Sequence, residues 1–162
     1  MQNIDNSQES KKADALLVQL SANPYFDMLS SYSIGQLGLY YLAEYADRFG
    51  YVAKVKYYNS FDDVSKLLPE IIEKTSCRIL GFYVDSENIW ALRPLIPILH
   101  QKCPNTIITV GGPQVTGDPL GTMQLIPNVT CGVIGEGEVP FLKLLQLKSF
   151  SDDDLSTING LI

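Results

Sequence analysis

The sequence is poor in side chains that hold metals. It has one histidine and three cysteines, and Cys77, Cys103 and Cys131 are widely spaced and odd in number. That fits neither a disulfide framework nor the paired spacing of a zinc site, and it leaves no cluster to hold iron and sulfur within these residues. Cys77 and Cys131 each open an apolar run and are expected to be buried as small hydrophobes; Cys103, in a loop before Pro104, is expected to be exposed. Basic residues are also scarce, 12 against 18 acidic ones for a net charge of −6, so the clustered Lys and Arg that nucleic-acid phosphates require are missing. The apolar runs are strand-sized, far short of a membrane-spanning helix, and the polar stretch from Gln2 to Lys12 has no signal-peptide core. There are no internal repeats. The expectation is a cytoplasmic, monomeric protein that binds neither nucleic acid nor membrane. Its 162 residues, 46% of them apolar, are enough for one domain with its own core.

What is present is an alternation. From Ala13 onward, strand-like runs and segments of helical period succeed one another five times. The first run is Ala15 to Val18. Ile34, Leu37, Tyr41, Leu42, Tyr45 and Phe49 then form a stripe at three and four spacing that stops on Gly50. Val52 to Tyr57 alternates in period two, as a strand at a sheet edge does. Ser60 with Asp63 resembles a capping box for a helix whose Val64, Leu67, Leu68, Ile71 and Ile72 share a face. Arg78 to Val84 is apolar enough to be buried on both faces. The helix after it carries Leu92, Leu95, Ile96 and Leu99, and Pro94 and Pro97 predict a late start or a kink. Thr106 to Val110 is the fourth strand, and a short helix is expected between Asp118 and Ile126. Thr130 to Ile134 is the fifth strand, and Pro140 suits the first turn of a last helix bearing Phe141, Leu144 and Leu145.

Such an alternation implies an α/β fold: a doubly wound, flavodoxin-like or Rossmann-like parallel sheet of five strands in the order 2-1-3-4-5, with helices on both faces. Residues 1–12 read as a disordered polar terminus, 13–148 as the domain, and 149–162 as an acidic linker whose apolar end, Ile158 to Ile162, has nothing to pack it and suggests a cut at a domain boundary. Ligands of these sheets sit at the carboxyl ends of the strands. Four loops make that edge: Ser21 to Ser33, Asp85 to Asn88, Gly111 to Gly117 and Gly135 to Glu138.

The order of these pieces resembles the N-terminal cobalamin-binding domain of the cobalamin-dependent radical-SAM enzymes over roughly residues 13–162. Four elements carry the resemblance: Gly38-Leu39-Tyr40-Tyr41-Leu42-Ala43, Gly111-Gly112-Pro113-Gln114, Gly135-Glu136-Gly137-Glu138 followed by Pro140-Phe141, and the closing Ile158-Asn159-Gly160-Leu161. It implies that the four loops hold the corrin and its nucleotide tail, and that the last element leads toward a radical-SAM barrel. That barrel, with its three-cysteine motif, S-adenosylmethionine and 4Fe-4S cluster, is absent from this sequence; the chain alone is then a module that does not turn over.

Physical reasons stand beside the resemblance. Gly111 and Gly112 lack Cβ atoms, so a flat macrocycle or its tail can approach the main chain. Gly135 and Gly137 allow a sharp turn into the last helix, whose free N–H groups can meet polar parts of a ligand. Glu136 can accept hydrogen bonds from ribose hydroxyls or corrin amides, and Glu138 sits at the positive end of the helix dipole. Each also has a plainer reading: the double glycine as a tight turn, Gly-Glu-Gly-Glu as a turn with a helix-initial acid, and Asp85, Ser86 and Asn88 as turn residues capping the third helix.

Domains that bind cobalt through histidine carry Asp-x-His-x-x-Gly after strand one. Here Ser21 to Leu29 contains no histidine, and the single one, His100, ends the third helix at the opposite sheet edge. The mode of cobalt ligation is therefore open. A second reading of a different class is a degenerate, cobalamin-free domain used for substrate recognition or docking, with Tyr25, Phe26, Tyr32, Tyr40 and Trp90 as contact area. A phosphorylated receiver would need an acidic pair after strand one and a lysine after strand five, and a flavin mononucleotide site a Ser/Thr-Gly-rich loop after strand one; none is present.

Overall fold

The computed structural model describes residues 12–21, 37–58 and 61–162. Its strands are β1 (Ala15–Leu20), β2 (Ala53–Tyr58), β3 (Ile79–Tyr83), β4 (Ile107–Gly111) and β5 (Cys131–Val133), all parallel, in the order β2-β1-β3-β4-β5. The helices of the described residues are α1 (Leu37–Asp47), α2 (Phe61–Thr75), α3 (Ile89–Lys102), α4 (Pro113–Gly117), α5 (Pro119–Leu125), α6 (Glu138–Gln146) and α7 (Asp152–Ser156). The expected order of strands is the observed one, and β2 is an edge strand as its alternation predicts.

Because side chains alternate across a strand, the sheet sorts its apolar residues into two cores. Leu16, Val18, Leu80, Phe82, Ile108 and Val110 pack with α2 and α3 on one face. Ala15, Leu17, Ile79 and Cys131 pack with Leu39 and Ala46 of α1 and Phe141, Leu144 and Leu145 of α6 on the other. The second face is where a space remains.

Local structure departs from expectation in four places. Helix α3 begins directly at Ile89 and runs through both prolines. The carbonyls left without a donor, at Trp90 and Arg93, belong to residues on the exposed face, where water can satisfy them. Residues 113–117, read as loop, form a helical turn: Pro113 occupies its first position, and Gly112, at φ +117°, turns the chain into it. Helix α5 forms as expected, with the Asp118 carboxylate accepting from Gly121 N–H at 3.1 Å. Cys103 is half-buried rather than exposed, while Cys77 and Cys131 are buried as expected. The capping pair at Ser60 falls outside the described residues.

The fourth departure is the tail, which the sequence left with nothing to pack against. It folds back on the domain. Ser151 caps α7 by accepting from Asp154 N–H at 3.2 Å, and hydrogen bonds from Ser149 and Ser151 hold the Asp154 carboxyl below the usual carboxylate range. The Arg78 guanidinium lies 5.0 Å from the centre of the Phe150 ring and donates to the Leu147 carbonyl. Ile158 is only 4% exposed. Gly160 to Ile162 then runs antiparallel along the free edge of β5, with Gly132 and Ile162 exchanging hydrogen bonds of 2.8 and 2.9 Å and Ile134 N–H donating to Gly160 O at 2.9 Å. The central strands remain parallel. Among the described residues, no helix is long and apolar enough to cross a membrane.

Two outcomes follow. Ile158→Ala should cost about 2–4 kcal/mol in urea unfolding, the penalty of a cavity at a buried isoleucine; a cost near zero would mean the tail does not pack in solution. Burial pushes the Cys77 thiol up to about 12, above its ordinary 9.0. The unfolded chain therefore loses that proton first, so this contribution is full below pH 9 and is lost progressively as pH rises toward 12. Between about pH 8 and about pH 10.5, Cys77→Ala should lose less stability than the wild type. Equal losses would contradict this.

Candidate functional site

The register of the sheet builds the floor of the site. Leu17 of β1 lies beside Gly81 of β3, Gly81 beside Thr109 of β4, and Thr109 beside Cys131 of β5. In the row nearer the carboxyl edge, Tyr83 pairs with Gly111 and Gly111 with Val133. Two of these residues on the same face are glycines, so the floor is low in the middle. Helices α1 and α6 cross above it through Leu39, Leu42 and Phe141, and between them and the sheet lies an apolar slot of about 170 Å³. Its mouth is formed by Gly38, Gly111, Gly112, Gly135, Glu136, Gly137 and Glu138. Sites for whole drug-sized ligands span roughly 300–1,000 Å³. A space of this volume can hold only part of such a ligand, with the rest outside it along the strand ends.

The glycines at the mouth do different things. A Cβ on Gly112 would meet the Val84 carbonyl at 2.7 Å and the Tyr83 ring at 3.2 Å, and its φ is +117°. Gly112 lines the slot, but the protein uses its missing side chain to bring β3 and β4 together at the edge, where sequence alone suggested ligand approach. Gly137 is likewise closed by Leu42, 3.1 Å away. At Gly38 and Gly135, by contrast, a Cβ would meet nothing within 4 Å. These two leave bare backbone facing open space. Gly135 also has φ +74°, a conformation that glycine adopts at no steric cost.

Of the residues expected from sequence, Gly111, Gly112, Gly135, Glu136, Gly137 and Glu138 come together at the slot. Pro113 and Gln114 lie in the first turn of α4 and do not line it; Gln114 N–H donates to the Val84 carbonyl at 3.3 Å. Asp85 and Ser86 are also outside it. The Asp85 carboxylate accepts from Glu87 N–H and Asn88 N–H at 2.9 and 2.8 Å, while Asn88 donates to the Tyr83 carbonyl at 2.9 Å. The carboxylate is engaged in closing this turn, and Asn88, at the helix N-cap, makes no side-chain capping bond. His100 is exposed in the last turn of α3, at the strands' amino edge. Tyr40 and Trp90 are 55% and 61% exposed; Tyr25, Phe26 and Tyr32 fall outside the described residues.

Sequence reasoning missed Leu17, Gly38, Gly81, Tyr83, Thr109 and Phe141 as slot residues. The signal for Gly81 was there, because a glycine inside a buried strand marks a close approach. Tyr83 gave none. It is half-buried at the end of β3, and burial, with the nearby Asp85 charge, raises its phenol above the ordinary value.

A slot at the carboxyl edge of a 2-1-3-4-5 sheet, apolar within and glycine-rich at its lip, defines a ligand-binding doubly wound α/β domain. The fold is shared with the crystal structure of a CheY-like protein (TadZ) from Pseudomonas aeruginosa PAO1, at a TM-score of 0.50 and 16% identity over 83% of this chain and 97% of that one. No curated protein matches the sequence. The family model of the B12 binding domain matches residues 30–145, a stretch that includes every slot residue except Leu17. The chain belongs to the B12-binding domain family, whose modules bind cobalamin.

Gly38 offers the cleanest test of the slot. Gly38→Leu should leave the urea midpoint unchanged or raise it, since glycine in a helix costs about 1 kcal/mol. It should weaken hydroxocobalamin binding tenfold or more, about 1.4 kcal/mol, by filling the space. Unchanged affinity would place the ligand elsewhere.

Proposed function

We propose that this chain is the cobalamin-binding module of a radical-SAM enzyme and that it holds the cofactor's nucleotide tail in the slot, without a histidine ligand to cobalt. The observation that carries the reading is the bare backbone at Gly38 and Gly135, opening onto an apolar slot of about 170 Å³, a volume that could hold a single aromatic base but not a corrin. A nucleotide tail ending in a planar aromatic base fits that description, whereas the corrin ring is too large to enter. Leu17, Leu39, Leu42, Val133 and Phe141 would surround the base and exclude water. The first N–H groups of α6 have no side-chain cap, so they can donate to the tail's polar groups. Glu136 and Glu138 would accept from ribose hydroxyls or corrin amides. Bound cobalamin would supply methyl transfer or related radical chemistry to a barrel domain of the same protein, where S-adenosylmethionine and the 4Fe-4S cluster belong. Support for that context is the resemblance of the four sequence elements, including Ile158 to Leu161.

The single histidine is far from the slot, so no imidazole of this chain can reach a cobalt seated at the carboxyl edge. A base held in the slot is also kept away from cobalt. Protein loaded with cobalamin and reduced to cobalt(II) should therefore show no nitrogen superhyperfine splitting in its electron paramagnetic resonance spectrum. Splitting from one nitrogen that survives in His100→Ala would show the cofactor's own base coordinated; splitting lost in that variant would make His100 the ligand. Either result contradicts the reading. A folded protein that binds no cobalamin would instead favour a docking domain, for which exposed Tyr40 and Trp90 are available.

A further inference from the structure

The loop that forms one lip of the slot is short of internal constraint: Gly135-Glu136-Gly137 has two glycines around an exposed glutamate. It is anchored at two consecutive amides. Ile134 N–H donates to the Gly160 carbonyl at 2.9 Å, which secures the end of β5, and Gly135 N–H donates to the Thr116 hydroxyl at 3.0 Å. Thr116 is in α4, which follows the other glycine pair, Gly111-Gly112. It is held firmly there. Its own N–H donates to the Gly112 carbonyl at 3.0 Å, and the Thr122 hydroxyl of α5 donates to the Gln114 carbonyl at 3.2 Å.

We infer that Thr116 is a positioning residue for the binding slot: through its hydroxyl it ties the β4 loop to the β5 loop and fixes Gly135, the open glycine of the lip, in its φ +74° conformation. Thr116 does not line the slot and acts only through Gly135. The inference rests on the cobalamin reading for the identity of the ligand, but the hydrogen bond itself can be tested without ligand. Because the side chain is exposed, its replacement has little to disturb in the core.

The test compares wild type, Thr116→Val, Thr116→Ala and Thr116→Ser. Hydrogen exchange at the Gly135 amide is read by NMR in cobalamin-free protein, and hydroxocobalamin affinity is read by titration. Thr116→Val and Thr116→Ala should exchange faster at Gly135 and bind about fivefold more weakly, the scale of one neutral hydrogen bond. Thr116→Ser, which keeps the hydroxyl, should restore both. Unchanged exchange in the valine and alanine variants would overturn the inference, as would faster exchange with wild-type affinity. A wild type that binds no cobalamin would overturn the functional reading and the inference with it. A wild type that binds while all variants match it overturns the inference alone.

Discussion

The slot depends first on the in-register parallel pairing of β1, β3, β4 and β5. That pairing sets Leu17, Gly81, Thr109 and Cys131 in one row and Tyr83, Gly111 and Val133 in the next, all on the face covered by α1 and α6. A slip of one residue in β3 would turn Gly81 and Tyr83 to the opposite face and present Leu80 and Phe82 instead, filling the slot with side chains that now belong to the other core. Backbone hydrogen bonding and binding geometry are in this sense one constraint. The small residues have value only because the ladder aligns them.

Around that floor, the glycines divide between those crowded by the protein's own atoms and those left open. Gly112 and Gly137 are occupied by the protein's own atoms, the Val84 carbonyl and Tyr83 ring in one case and Leu42 in the other. Gly38 and Gly135 face open space, and they lie on different lips, one on α1 and one after β5. The tail strand from Gly160 to Ile162 braces β5 from its outer side, so the lip that ends in Gly135 is supported by a segment distant in sequence. Whatever displaces that segment acts on the strand that carries the lip.

Much of this was legible in the sequence, for physical reasons. The alternation of apolar runs and helical stripes determines layers and strand order because each run must bury itself in a parallel sheet, and the period-two pattern of Val52 to Tyr57 marks its edge. Glycine pairs at the ends of two strands locate the mouth. What was not legible depends on contacts between distant residues. The Ser149 to Asp154 stretch is acidic and polar, yet Ser151 caps a helix within it, and Arg78 reaches Phe150 and the Leu147 carbonyl from across the chain. Gly112 looked like an approach for ligand because nothing local reveals Val84 beneath it. Pro94 and Pro97 signalled disruption, but the residues whose carbonyls they free lie on the exposed side.

As proposed, the slot holds the nucleotide tail of cobalamin rather than any part of the corrin ring. Cobinamide has the corrin ring without the nucleotide, so the most direct measurement is its affinity against that of hydroxocobalamin, by titration calorimetry on the same protein. If the tail is buried between the sheet and helices α1 and α6, cobinamide should bind at least tenfold more weakly, a loss of about 1.4 kcal/mol or more. Equal affinities would show that the slot contributes nothing to binding and would contradict the account.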